Sequence, residues 1–332
     1  MKILVTGGAG YIGSITNRLL KESGHETVVF DSMEYGHDWA LEGTRLIKGD
    51  LKNFADIQTA IKQEKPETVV HFAAYIQAGE SMKRPEKYFQ NNTGGGLNLF
   101  KAMIDNAVNN LIFSSTAAIY GTPKSVPIRE DFSLGAENAY GQSKLMVEET
   151  LDWLAKFHPD FKFVALRYFN ACGALPDATL GEAHEPESHI IPIFLDKVAR
   201  GEALTINGND YHTADGTCVR DYIHVLDLAE AHIKALDYLN QKGQSDKFNV
   251  GSGKGFSNKQ IAETIFKITG KQVGINYGPR RPGDPDELVA DSSKLRQTLD
   301  WQPKHSKLEN IIRDAWNWYQ KQPRWADFKL LS

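Results

Sequence analysis

The strongest constraint on this chain lies in residues 6–13, Thr6-Gly7-Gly8-Ala9-Gly10-Tyr11-Ile12-Gly13, directly after the apolar run Ile3-Leu4-Val5. Glycines 8, 10 and 13 fit the spacing GxGxxG, and glycines 7, 10 and 13 fit GxxGxxG. In either register the missing side chains let the backbone turn sharply from a strand into a helix. The helix N-terminus then lies open to a pyrophosphate. A glycine-rich turn alone is a weak signal, so its meaning depends on the rest of the chain.

Beyond the turn the chain alternates regularly. Short apolar runs recur at Val28-Val29-Phe30, Val69-Val70-His71-Phe72, Leu111-Ile112-Phe113 and Phe163-Val164-Ala165-Leu166. Their shortness and branched residues suit strands buried on both faces. Between them helical patterns occupy residues 11–23, 53–63, 85–106 and 140–157. Strand and helix in turn predict a Rossmann-type, doubly wound parallel α/β sheet. After residue 170 the rhythm breaks into a polar stretch at 181–189, a helix at 190–200 and a turn-rich passage at 207–210. Residues 222–225 and 226–239 then read as strand and helix again. The three prolines of residues 278–285 exclude a helix interior there. The expected organisation is a cofactor-binding domain of residues 1–170, rejoined by a segment at about 218–250. A smaller, interleaved domain of residues 171–217 and 251–332 would bind substrate, with the ligand cleft between the two.

Composition removes several function classes. With 41% hydrophobic residues and a net charge of -4, the chain can bury a full core but offers no basic face for nucleic acid. No stretch reaches the roughly 18 apolar residues of a membrane span, and the first residues are too short a run for a signal peptide. The cytoplasm is the expected compartment. Cys172 and Cys218 belong to no metal-binding spacing, so neither a disulfide nor a zinc site is expected, and no residue is assigned as a metal ligand.

Two constellations carry chemistry. Asp31 ends the second apolar run, about 20 residues after the glycines, where a carboxylate accepts from the ribose hydroxyls of a dinucleotide. Its neighbours Ser32, Met33 and Glu34 offer no cation for a 2′-phosphate, which favours NAD over NADP. Further on, Tyr140 and Lys144 stand at i and i+4, one face of a helix. The expectation is that the ammonium lowers the phenol pKa enough for Tyr140 to act as a base near neutrality. The strand before that helix runs into Ser114-Ser115-Thr116, placing hydroxyls at the carboxyl edge of the sheet.

The set Gly7/Gly10/Gly13, Asp31, Asp50-Leu51, His71-Phe72-Ala73-Ala74, Thr116 and Tyr140-xxx-Lys144 resembles that of the extended short-chain dehydrogenases. Other stretches narrow the resemblance to the UDP-glucose (UDP-galactose) 4-epimerases. They are Gly79-Glu80-Ser81, Asn91-Asn92, Lys144-Leu145-Met146-Val147-Glu148, Arg167-Tyr168-Phe169-Asn170, Gly208-Asn209-Asp210-Tyr211, Asp215-Gly216-Thr217, Val219-Arg220-Asp221-Tyr222-Ile223-His224-Val225 and Arg280-Arg281-Pro282-Gly283-Asp284. The resemblance spans nearly the whole chain. It implies a retained NAD held by Gly7, Gly10, Tyr11, Ile12, Gly13, Asp31, Asp50, Leu51, Phe72, Ala73, Ala74, Asn91, Tyr140, Lys144 and Tyr168. It implies Thr116, Tyr140 and Lys144 as the catalytic set. A UDP-sugar would be met by Thr116, Tyr140, Asn170, His189, Arg220, Arg281, Asp284 and Leu288. It also implies a homodimer through the helices at 85–106 and 140–157.

Some positions depart from the family pattern. Ile76 stands where some relatives carry a lysine near the cofactor, and Ser188-His189 replaces a frequent asparagine pair. Leu288 occupies a gate where tyrosine is thought to exclude N-acetyl sugars and a small residue to admit them. The motifs specify the 4-position better than C2 or C6, which leaves UDP-N-acetylhexosamines or UDP-pentoses as alternative substrates. A dehydratase would need acids after Thr116, where Ala117-Ala118 stand. A non-catalytic NAD sensor would have no use for the catalytic set.

Overall fold

The computed structural model describes residues 1–281 and 283–322; residues 323–332 of the expected smaller domain lie outside the described residues. In chain order the first half runs β1 (Lys2–Thr6), α1 (Tyr11–Glu22), β2 (Glu26–Asp31), β3 (Leu46–Lys48), α2 (Phe54–Glu64), β4 (Thr68–His71), α3 (Ala78–Lys83), α4 (Pro85–Tyr88), α5 (Gly95–Asp105), β5 (Asn110–Thr116), α6 (Ala139–Phe157) and β6 (Lys162–Tyr168). The second half runs β7 (Asn170–Cys172), α7 (Ile190–Arg200), β8 (Leu204–Asn207), β9 (Val219–His224), α8 (Val225–Lys242), β10 (Asp246–Val250), β11 (Gly255–Ser257), α9 (Asn258–Thr269), β12 (Ile275–Gly278), β13 (Glu287–Leu288), α10 (Ser293–Leu299) and α11 (Leu308–Lys321).

Seven strands form one parallel sheet in the order β10-β6-β5-β4-β1-β2-β3. This is the doubly wound arrangement that the alternation predicts, with order reversing between β1 and β4, where such sheets open a crevice for ligands. Period-two side-chain alternation supplies both layers. Ile3 and Val5 pack with Leu228, Ala235 and Leu239 of α8 on one face, while Leu4 packs with Ile57 of α2, Phe100 of α5 and Leu151 of α6 on the other. Helix starts are fixed locally. Asn53 caps α2 by accepting from the Ala55 N–H, Asn138 caps α6, and Ser257 with Gln260 forms a capping box on α9.

The expected helix at 85–106 is broken. Residues Phe89–Gly94 wind as a π-helix between α4 and α5, a distortion that often marks functional sites. Of the segment near 218–250, α8 packs on the main sheet and β10 becomes its edge strand. Strand β9 instead centres a second sheet, pairing with β7, β11 and β13. Asp221 on β9 holds that sheet together, accepting from the N–H groups of Ser252, Gly253 and Ala290. A third apolar cluster, with Ile191 and Phe194 of α7, Ile261 of α9 and Ile311 of α11, backs this smaller sheet. Among the described residues, no helix is long and apolar enough to cross a membrane.

Candidate active site

A cavity of about 460 Å³ lies along the carboxyl edge of the main sheet, a size typical of small-molecule sites. One end is the glycine turn, and the structure decides between its two spacings. Gly7 has φ +73°, and a Cβ there would lie 2.5 Å from the Ala73 nitrogen; a Cβ on Gly13 would lie 2.2 Å from the Gly7 carbonyl. Gly8 instead faces the Val29 side chain. Backbone therefore demands glycine at 7 and 13, which belong to the 7, 10 and 13 spacing, while a Cβ on Gly10 would lie 3.4 Å from the Gly7 carbonyl oxygen and one on Gly8 would meet only side-chain atoms. Helix α1 starts at Gly10 with no side-chain cap and no acid in its first turn, so its N–H groups remain available to an anion.

Asp31, at the end of β2, accepts from the Ala9 N–H at 3.0 Å and the Met33 N–H at 2.9 Å. Burial raises its pKa, and those two N–H groups oppose the rise. Asp50, Leu51, Phe72, Ala73, Ala74, Asn91 and Tyr168 line the same cavity, as do Tyr11 and Ile12. Lys144 and Arg220 are its only lysine or arginine among the described residues, and neither belongs to the residues around Asp31. The uncapped helix, the backbone-blocked Gly7 and Gly13, and a carboxylate with no lysine or arginine beside it fit NAD.

Thr116, Tyr140 and Lys144 meet in the cavity. The Thr116 hydroxyl hydrogen-bonds Tyr140, and the Lys144 ammonium donates to the Ser114 carbonyl at 2.8 Å. Here the expected electrostatics are corrected. Burial pushes the Tyr140 phenol up, with only the Thr116 hydrogen bond pulling it down. Burial also pulls Lys144 down to about 7. In the protein alone, desolvation disfavours both charged forms. The π-turn between α4 and α5 adds a group that spacing alone did not assign. Asn92 donates to Ser143 Oγ and to the Tyr75 carbonyl, both at 3.0 Å, which ties the α6 face bearing Tyr140 to the cavity wall at 75–76. Ile76 lines that wall.

At the other end Asn170, His189, Arg220 and Leu288 line the cavity; Arg281 and Asp284 do not. Asp284 instead pairs with the Arg220 guanidinium, which also donates to the Pro285 carbonyl at 2.9 Å. The Asn170 amide donates to the Asp221 carbonyl at 3.0 Å. His189 is more than a solvated loop residue, because its Nδ1 lies 2.6 Å from Glu182 and 3.1 Å from Glu187. Burial disfavours its charge, but those two carboxylates raise its pKa well above the ordinary value.

Residues 3–251 match the family described as "NAD dependent epimerase/dehydratase family". A protein of Lacticaseibacillus casei named UDP-glucose 4-epimerase is 48% identical, over 97% of this chain and 98% of its own length. The crystal structure of a UDP-glucose 4-epimerase from Brucella ovis in complex with NAD is 41% identical, with a TM-score of 0.92 over 95% of this chain and 97% of that one. The UDP-Glc/GlcNAc 4-epimerase of Campylobacter jejuni is 42% identical, with a TM-score of 0.85 over 97% and 99%.

Proposed function

The chain belongs to the NAD dependent epimerase/dehydratase family, and from that we propose that it interconverts UDP-galactose and UDP-glucose at C4 through a 4-keto sugar, using retained NAD. The observation that carries this reading is the meeting of Thr116, Tyr140 and Lys144 with the glycine turn, Asn170 and Arg220 in one cavity. When bound, NAD⁺ supplies the hydride acceptor and a positive ring that favours the Tyr140 phenolate. Tyr140 takes the proton of the sugar 4-hydroxyl and later returns it. Thr116, already hydrogen-bonded to Tyr140, holds the 4-oxygen. Lys144 holds the nicotinamide ribose. Arg220 pairs with the diphosphate, a role suited to its planar fork, and Asn170 adds a contact there. The sugar can then turn about its diphosphate link and present its other face. Arg281 and Asp284 stand outside the cavity walls, so a role for them in holding the diphosphate and uridine ribose requires the Arg220–Asp284 pair to rearrange when ligand binds. The Rossmann body of residues 1–170, rejoined by α8 and β10, serves the cofactor, and residues 171–217 and 251–332, together with β9, serve the sugar nucleotide.

The same proposal includes a homodimer in the cytoplasm. On α5 and α6, Phe100, Met103 and Val147 pack inside the subunit, but Leu97 and Met146 face outward and stand 47% and 38% exposed. Trp153 and Phe157 continue the α6 stripe, stacked with ring centroids 5.6 Å apart. A second subunit covers that stripe. The buried free thiols Cys172 and Cys218 suit a reducing compartment.

Leu288 favours one extension, to N-acetylated sugars. It pairs in register with Arg220 and lines the cavity, with a side chain smaller than tyrosine. The test is proton NMR of UDP-galactose incubated with purified protein and no added NAD. Appearance of UDP-glucose supports the reading, and no conversion even after NAD is supplied rejects it. With UDP-GalNAc, Leu288→Tyr is expected to lower conversion at least tenfold while UDP-galactose turnover stays within about twofold; equal effects on both sugars reject the gate.

A further inference from the structure

The loop between β7 and α7 carries a cluster of which the epimerase reading uses only His189, and three of its members, Glu182, His184 and His189, line the same cavity. Glu182, His184, Glu187 and His189 each offer one donor atom, and the four atoms lie within 4.8 Å of one another. The inner distances are 3.0 Å from His184 Nδ1 to Glu182 Oε1, 3.9 Å from His184 Nδ1 to Glu187 Oε2, and 2.6 and 3.1 Å from His189 Nδ1 to Glu182 Oε1 and Glu187 Oε1. Donors about 2.0–2.1 Å from a tetrahedral ion stand about 3.3 Å apart, a separation inside the 2.6–3.9 Å span of these contacts. Both carboxylates are buried, and Glu187 is 0% exposed. Its Oε1 accepts from the N–H groups of Ser188 and His189, yet its buried Oε2 has no hydrogen-bond partner. A buried carboxylate oxygen without a donor is costly, and it points into the cluster.

We propose that Glu182, His184, Glu187 and His189 form a binding site for a single divalent transition metal of the zinc class. Two imidazole nitrogens and two carboxylate oxygens make a donor set that suits zinc better than magnesium or calcium, which prefer all-oxygen shells. Two carboxylates and two neutral imidazoles carry -2, which one such ion cancels, and the ion gives Glu187 Oε2 its missing partner. The site also has a place in the architecture. The His184 ring meets the edge of Tyr11 at 6.2 Å, His37 Nε2 lies 2.8 Å from the Ala183 carbonyl, and Gln77 donates to the Pro186 carbonyl. Closing the four ligands on one ion therefore clamps this loop against the helix and wall that hold the cofactor. The rival arrangement is a protonated His189 shared between two carboxylates with no metal.

The test uses the full chain, dialysed against a chelator and titrated with Zn²⁺ alone near pH 7.5. Bound metal is counted by mass spectrometry after gel filtration. One zinc per chain is expected, with a rise in Tm on binding, and His184→Ala and Glu187→Gln should each bind about tenfold or more weaker. Absence of stoichiometric zinc, or equal binding by wild type and variants, overturns the proposal. If the variants do not fold, Co²⁺ on the wild type decides. The visible bands of a four-coordinate nitrogen–oxygen site support the proposal, and a six-coordinate aquo-like spectrum sinks it. Epimerisation is scored separately, so a chain that converts UDP-galactose but takes no zinc keeps its function and loses this site.

Discussion

At the residue scale, Tyr140 and Glu148 carry opposite duties. Tyr140 is held protonated by burial, which suits a group that must give and take one proton while its environment changes. Tyr140→Phe keeps the ring and removes the proton carrier. Its kcat on UDP-galactose is expected to fall by about 10²–10⁴ with little change in KM, measured by coupled assay; a kcat within threefold of wild type would remove Tyr140 from the mechanism. Glu148, by contrast, supports the site without touching it. Its carboxylate accepts from Arg167 at 2.7 Å and from Ser115, joining α6 to the ends of β5 and β6 just where Thr116 begins. Both partners are almost fully buried, so Glu148→Gln leaves an uncompensated guanidinium. Chemical denaturation should show a loss of about 3–5 kcal/mol, and an unchanged midpoint and slope would show that the pair is dispensable.

At the element scale, the distortions matter more than the regular segments. The π-turn at Phe89–Gly94 interrupts what reads as one amphipathic helix, and in doing so it brings Asn91 to the cavity and Asn92 to Ser143. Helix α6 is shared between two tasks. Its Tyr140 and Lys144 end faces the cavity, while Met146, Trp153 and Phe157 turn outward. Large aromatic side chains left in water at helical spacing are what an interface core uses. Trp153→Glu is accordingly expected to halve the mass seen by light scattering at micromolar concentration, from dimer to monomer. A wild-type chain that is already monomeric refutes the shared-helix arrangement.

At the scale of the whole molecule, the cavity lies between two sheets that meet at β6 and β7, and the main core beneath it contains neutral histidines. His71 and His232 are buried, and burial lowers them to about 3 and about 4. In the neutral form that burial favours, His232 donates from Nδ1 to the Leu228 carbonyl and accepts the Tyr168 hydroxyl at Nε2. Between pH 6.5 and about 4 the unfolded chain binds a proton at His232 that the folded chain refuses. Stability is therefore full above pH 6.5 and is lost as pH falls through that window, by about 1.4 kcal/mol per pH unit for this one group. His232→Gln keeps a donor and an acceptor but does not titrate. Its denaturation free energy should fall less steeply with acid by about that amount, and parallel slopes would show that His232 does not sense pH.

The sequence by itself determined whatever depends on spacing along the chain. The alternation of buried strands and helices specifies a doubly wound sheet, the glycines with Asp31 specify a dinucleotide end, and Tyr140 with Lys144 specifies a face of α6, because helical and extended periods are local properties of the backbone. Only the tertiary structure decided what depends on neighbours distant in sequence. It chose Gly7 over Gly8 for the tight turn, since the obstacle is Ala73, far along the chain beyond β4. It reversed the expected direction for Tyr140, because the walls that remove solvent from the phenol come from distant parts of the chain. It paired Arg220 with Asp284 and left Arg281 off the cavity wall. And it closed the spacing Glu182-x-His184-x-x-Glu187-x-His189 into one cluster in a loop, where no helical or strand period could announce which side chains would meet.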